Sequence, residues 1–244
     1  MATNDTHAGD YRGPDASKIR DMFSSIASTY DRGNSVLSAG IHHLWRRALV
    51  KWSGARTGQS VLDCATGTGD LAIAFKKAVG PSGRVVGTDF CQEMLDPAPA
   101  KARAEGFEIQ FELADVTKLP YADASFDIAS ISFGIRNVNE PKLGLAELHR
   151  VLKPGGTLMV LEFGQPKNAA FASLYGFYSK KILPVIGGLV SGKPEAYRYL
   201  EKSSAKFPCA EGFLELAREA APFATAEYRT LSLGIAYMYR LTKK

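Results

Sequence analysis

From residue 60 onward the chain alternates short apolar runs with segments of helical spacing, and this alternation narrows its fold more than any other feature. The runs predicted as strands are Ser60–Cys64, Arg84–Thr88, Glu108–Leu113, Asp127–Ser132 and Thr157–Glu162. Between them the spacing predicts helices over Asp70–Val79, Gln92–Ala104 and Pro141–Leu152. Strands joined by helical crossovers pair in parallel, with helices on both faces, and their crossovers are right-handed. Two further strand-prone runs flank Gly234 in "AEYRTLSLGIAYMYRLTKK" and predict an antiparallel hairpin at the sheet edge. The expected class is therefore α/β, with a mostly parallel seven-stranded sheet.

The flanking segments read differently. Residues 1–15 are polar and are expected to form a disordered tail; residues 16–244 are expected to form a single domain. Its N-terminal part, 16–52, is helical, with breaks at Gly33 and Gly40. There "SKIRDMFSSIASTY" sets Ile19, Met22, Phe23, Ile26 and Tyr30 at helical spacing, with Ser17 as the cap. A core over 60–163 follows, then a helical insertion or lid over 167–205, then a C-terminal helix and hairpin over 206–244.

Composition removes several classes. Hydrophobic residues are 45% of the chain, enough for a sizeable core. The net charge is +5 without a run of five or six like charges, which fits a weakly basic surface and disfavours nucleic acid as a partner. Cys64, Cys91 and Cys209 are odd in number and far apart, and no two histidines stand at i, i+4. Neither a disulfide framework nor a metal centre is expected. The N-terminus lacks an apolar signal segment, and "ILPVIGGLV" is far short of the ~20 residues that span a bilayer, so a cytoplasmic protein is expected.

The turn after the first strand carries the chemistry. In "VLDCATGTGD", Gly67-Thr68-Gly69-Asp70-Leu71-Ala72 satisfies the dinucleotide pattern G-x-G-x-x-G/A. A pyrophosphate needs the positive end of a helix with no carboxylate in its way, yet Asp63 and Asp70 bracket this turn. That arrangement suits a ligand presenting an ammonium and a sulfonium, as S-adenosylmethionine does. The plainer reading of Asp70 is an acid that steadies the helix dipole. No Gly-Lys-Ser/Thr follows, so a P-loop is excluded. Asp89 ends the second strand, 20 positions after Gly69, where a carboxylate accepts from both ribose hydroxyls of NAD or S-adenosylmethionine alike. Asp115, with Val116 beside it, is placed for an adenine amino group or simply for a turn. Ser132 ends the fourth strand on the same edge.

With those residues and "RVLKPGGTLMVLEF" in view, the chain resembles class I S-adenosylmethionine-dependent methyltransferases, with their Rossmann-like fold. More narrowly it resembles the ubiquinone/menaquinone biosynthesis C-methyltransferase family. The match rests on "MFSSIASTYDRGNSVLSAGIHHLWRR", "VLDCATGTGDLA", "ISFGIRNV" and "YRYLEKS", and covers roughly residues 18–242. The resemblance implies S-adenosylmethionine as cofactor, contacted by Thr68, Asp89, Asp115, Val116 and Ser132, with Asp63, Gly67 and Gly69 shaping the loop. It implies methylation of a ring carbon of a polyprenylated quinol, giving menaquinol or ubiquinol. Two departures stand out: Pro97 and Pro99 fall where the family runs an unbroken helix, and His43 replaces a usual Arg.

Methylating an arene carbon requires a partner for a developing phenolate and a route for protons. Arg136, just past the fourth strand, is the first candidate for that partner, its alternative being a surface salt bridge. Tyr30 and Asp31 are candidates to cap the site and bond the quinol, and His42 to relay a proton; each has a purely structural alternative. Residues 171–190 offer an apolar channel for the prenyl tail and a contact with the inner face of the membrane, or ordinary helix packing. A homodimer is left open. The rival functions are another small-molecule methyltransferase, an NAD-dependent oxidoreductase, a nucleic-acid methyltransferase and a non-catalytic cofactor-binding scaffold of a quinone-synthesis complex.

Overall fold

The computed structural model describes residues 11–244, and the N-terminal part of the tail expected over 1–15 lies outside them. Residues 11–15 pack on the core. The Tyr11 ring meets Phe207 edge-on at 5.0 Å, its hydroxyl donates to the Arg136 carbonyl at 3.1 Å, and Gly13 N–H donates to the Asn139 carbonyl. Asp15, and not Ser17, caps the first helix, its carboxylate accepting from Ser17 N–H and Lys18 N–H.

Three N-terminal helices follow: α1 (Ala16–Ile26), α2 (Tyr30–Leu37) and α3 (Ile41–Ser53). The break falls at 27–29 and at Gly40, not at Gly33. Gly33 lies inside α2, where its lack of a side chain admits the Tyr197 hydroxyl, 2.7 Å from where a Cβ would stand. The alternation then runs β1 (Ser60–Cys64), α4 (Asp70–Val79), β2 (Arg84–Asp89), α5 (Gln92–Leu95), α6 (Ala98–Ala104), β3 (Gln110–Leu113), β4 (Phe126–Ser132), α7 (Pro141–Val151) and β5 (Leu152–Phe163). The helix expected over 92–104 is two helices. Pro97 takes the N-cap of α6 and Pro99 lies in its first turn, where a missing N–H costs nothing.

The insertion is helical: α8 (Ala169–Phe177), a π-helical turn, α9 (Leu183–Ser191) and α10 (Pro194–Lys206). Then come α11 (Glu211–Ala220) and the hairpin β6 (Phe223–Leu231) and β7 (Ala236–Lys243). The seven strands lie in the order β3-β2-β1-β4-β5-β7-β6. The first five are mutually parallel, and β7 runs antiparallel to both β5 and β6.

The chain reverses its strand order between β1 and β4, which opens a crevice at their carboxyl ends. One apolar layer sits on the face of α7 and α11, built on Phe126, Leu148 and Phe213. The other, built on Trp45, Leu49 and Phe75, is closed by α3 and α4. Helices α1 and α2 and the insertion cover the crevice, joined by a small cluster of Ile26, Leu183, Ala196 and Tyr197.

Candidate functional site

Two cavities lie over the carboxyl edge of the sheet. The first, about 280 Å³, is lined by the ends of β1, β2 and β4 together with the 114–117 and 137–140 loops. The second, about 660 Å³, lies between α1–α3, the insertion and the loop after β4, and its walls are mainly apolar. Both fall in the size range of small-molecule and cofactor sites or close to it.

Of the residues expected around a cofactor, Gly67, Asp89, Asp115, Val116 and Ser132 line the first cavity. Asp89 accepts from Gly67 N–H at 2.9 Å and Cys91 N–H at 3.0 Å. Burial pushes its carboxyl up to about 6. Gly67 has φ +55°, which a glycine adopts without strain, and so turns its N–H toward that carboxylate. Asp115 spends one oxygen on the turn, accepting from Thr117 N–H and its hydroxyl at 2.8 Å each. Among the described residues the buried Ser132 hydroxyl oxygen has no partner. A buried polar atom of this kind requires a ligand or water to satisfy it. The cavity thus has the carboxylates of Asp89, Asp115 and Glu140 and one orphan hydroxyl, a set that fits the hydroxyls and amines of an adenosyl nucleoside.

The other expected cofactor residues stand behind that wall. Asp63 is 1% exposed and accepts from Thr66 Oγ1 at 2.6 Å and Ser130 Oγ at 2.7 Å. Burial raises its pKa to about 6. Gly69 sits at the N-cap of α4 with φ +86°, where a side chain would run into Phe111 and Ala98. Thr68 donates its hydroxyl to Asp31 at 2.6 Å. Asp70 is held by Arg46 at 2.7 Å and by Lys101, and Lys101 also binds Asp31 at 2.6 Å. Burial would raise the Asp70 pKa, but Arg46 and Lys101 keep it below the usual carboxylate range. Of the acids bracketing the glycine turn, Asp63 accepts from two hydroxyls inside the sheet and Asp70 is paired with two cations, and neither lines the first cavity. The carboxylates lining the cavity are Asp89, Asp115 and, at its rim, Glu140.

Tyr30, His42 and Arg136 all line the second cavity, and Tyr30 reaches the first as well. Burial pushes the Tyr30 phenol up, so it stays a neutral donor. The His42 Nδ1 shares a 2.6 Å hydrogen bond with Ser38. Burial, with Arg46 and His43, lowers His42 to about 4, so it is neutral at pH 7. Arg136 is 4% exposed, which excludes a surface salt bridge. Its Nη1 binds Glu162 at 2.7 Å and donates to the Phe133 carbonyl at 2.7 Å. Metal-ligating atoms of His42, His43 and Asp70 do gather within 4.8 Å, but the Asp70 carboxylate already holds two cations.

Several residues here escaped sequence reasoning. Glu162 is an acid near the end of an otherwise apolar strand, and that incongruity was its one signal. Asn137 accepts from Tyr199 on α10 at 2.8 Å and lines the first cavity. Lys101 lies 70 residues from Asp31, and nothing in the spacing announces their meeting.

The family model described as "ubiE/COQ5 methyltransferase family" matches residues 12–243. The "Ubiquinone/menaquinone biosynthesis C-methyltransferase UbiE" of Bdellovibrio bacteriovorus is 62% identical over 231 residues, covering 95% of this chain and 98% of that protein. The "Demethylmenaquinone methyltransferase" of Deinococcus radiodurans is 46% identical, covering 91% of this chain and 90% of that one. Among solved structures, a putative S-adenosyl-L-methionine-dependent methyltransferase of Methanococcus maripaludis superposes with a TM-score of 0.64 at 19% identity, over 89% of this chain and 92% of that one. That likeness concerns the fold. Matched over nearly its whole length, the chain belongs to the ubiE/COQ5 family of S-adenosylmethionine-dependent C-methyltransferases.

Proposed function

We propose that this chain transfers a methyl group from S-adenosylmethionine to a ring carbon of a polyprenylated quinol, as the names of its close relatives describe for those proteins. The observation that carries the reading is the pairing of cavities. A smaller cavity of mixed polarity, carrying Asp89, Asp115 and Ser132, adjoins a larger, mainly apolar one, and Tyr30 lines both. Bound S-adenosylmethionine supplies an electrophilic methyl on a sulfonium.

In this reading Asp89 accepts from the ribose hydroxyls, Asp115 and Val116 receive the adenine, and Ser132 donates toward the cofactor. Thr68 contributes through Asp31, holding α2 down over the loop. The protein's share of catalysis is to place the ring carbon in line with the methyl, worth ~7–11 kcal/mol. The Tyr30 phenol donates to the oxygen where phenolate charge develops, and Arg136, fixed by Glu162, adds positive field from the same wall. His42, neutral at pH 7 and joined through Nδ1 to Ser38 on the same wall, is the candidate to relay a proton.

The insertion supplies the tail's route. Leu174 and Phe177 line the second cavity while 67% and 60% exposed, so the cavity opens through an apolar mouth. Val185 and Leu189 extend that exposed apolar surface, with Lys180 and Lys181 exposed beside it. Among the described residues no helix is long and apolar enough to cross a membrane. This face is proposed to rest on an anionic lipid surface and admit the substrate from it.

Three measurements check these assignments. Reduced demethylmenaquinone and methyl-deuterated S-adenosylmethionine should yield a product heavier by one labelled methyl on the ring; an unlabelled quinol after exhaustive incubation would refute the reaction. Cofactor affinity should hold above pH 6 and fall below it. Asp89 there carries a proton in the free protein that binding must expel, so the loss approaches tenfold per pH unit. Asp89→Asn should remove that pH dependence and weaken binding by about 1.5–3 kcal/mol for each charge-assisted bond lost; titration calorimetry reads both, and a flat wild-type profile contradicts the assignment. Finally, the double substitution Val185→Asp and Leu189→Asp should abolish flotation with anionic liposomes while leaving cofactor affinity unchanged; undiminished flotation would sink the lipid-facing role.

A further inference from the structure

Among the described residues three line both cavities, Phe23, Tyr30 and Phe133, and all three are aromatic. They come from two directions. Phe23 and Tyr30 belong to the N-terminal helices and meet edge-to-face at 6.3 Å. Phe133 belongs to the loop leaving β4 on the sheet side.

Phe133 is held there at a conformational cost. Its φ is +56°, the left-handed region that a bulky residue rarely occupies. Three hydrogen bonds impose it: Phe133 N–H donates to the Leu161 carbonyl at 2.7 Å, and its own carbonyl accepts from Arg136 Nη1 at 2.7 Å and Asn137 Nδ2 at 3.3 Å. The ring lies 4.4 Å from Phe163 and 6.3 Å from Trp45. A glycine would satisfy this backbone without strain, whereas the ring here packs on Phe163 and Trp45 and lines both cavities.

We infer that Phe23, Tyr30 and Phe133 form an aromatic collar that recognises the sulfonium charge of the cofactor at the passage between the cavities. The inference rests on the reading that the cofactor occupies the first cavity and the methyl acceptor the second. A methyl that leaves one for the other must cross where they meet, so the sulfonium stands at these rings. Aromatic faces attract a weakly hydrated onium ion, as cages for quaternary ammonium groups do. The collar then distinguishes the charged cofactor from its neutral demethylated product, S-adenosylhomocysteine, and favours release of that product. Phe133 is thus a binding residue, and Arg136 and Asn137 position it.

The test compares dissociation constants of S-adenosylmethionine and S-adenosylhomocysteine by calorimetry, with no quinol present. Phe133→Gly fits the backbone and deletes the ring; Phe23→Leu deletes a second ring from the opposite wall, so the result does not hang on one variant's folding. Each should lose threefold or more of the preference for the sulfonium, within the range of about 0.5–2 kcal/mol for one cation–aromatic contact. Phe133→Tyr should restore it. A preference unchanged from wild type in both ring-deleted variants overturns the collar, and does so without touching the quinol assignment. Failure of the wild type to methylate a quinol overturns that assignment, whereas a lost preference in the variants supports the collar whichever acceptor is used.

Discussion

The buried ion pair between Arg136 and Glu162 is the contact on which the site's geometry depends. Both side chains are at most 5% exposed, and a pair so buried survives only when its remaining valences are filled. They are filled by the parts of the site. Glu162 accepts from Phe163 N–H at 2.8 Å, and Arg136 donates to the Phe133 carbonyl and approaches Ser203 on α10 at 3.4 Å. The Arg136 carbonyl receives the Tyr11 hydroxyl. Arg136 thus ties four parts together: its guanidinium holds the end of β5, the strained loop after β4 and the insertion, and its carbonyl holds the N-terminal residues at Tyr11. Removing either partner alone would strand a buried charge, at a cost of ~3–5 kcal/mol.

The cover over the first cavity is held more lightly. Asp31 on α2 reaches down to Thr68 and Lys101, and Lys101 and Arg46 converge on Asp70. Burial works against the Lys101 charge, yet Asp31 and Asp70 keep its pKa above the ordinary value. Lys101 is 30% exposed and Asp31 46%, so their pair contributes little, within the ~0.2–1 kcal/mol of exposed ion pairs. A rigid sheet edge with a loosely pinned roof is suited to a ligand that must enter and leave in every turnover. The contrast also divides labour: the deep pair fixes the reacting geometry, and the shallow network closes over it.

Local patterning made the sheet legible. Apolar runs alternating with helical spacing marked five parallel strands, and Gly234 marked the hairpin, because both signals are confined to neighbouring residues. Asp89 and Ser132 were legible for the same reason: a polar residue ending a buried strand lies on the ligand edge of such a sheet. The acids around the glycine turn read as unpaired because their partners are remote in the sequence. Arg46 and Lys101 come from α3 and α6, and no spacing rule reports that they converge on Asp70. Gly33 misled for a related reason, since a glycine that reads as a helix break is there to admit Tyr197 from 164 positions away. Long-range pairs, like Arg136 with Glu162, exist only once the chain is folded.

The central claim is that the two cavities hold different halves of one reaction and meet at an aromatic passage. A crystal structure with S-adenosylhomocysteine and the naphthoquinone menadione tests it most directly. The account predicts the ribose on Asp89, the thioether sulfur facing the rings of Tyr30 and Phe133, and the quinone ring beyond them in the larger cavity. Adenosine lodged in the larger cavity, or a quinone ring bound away from that passage, would contradict it.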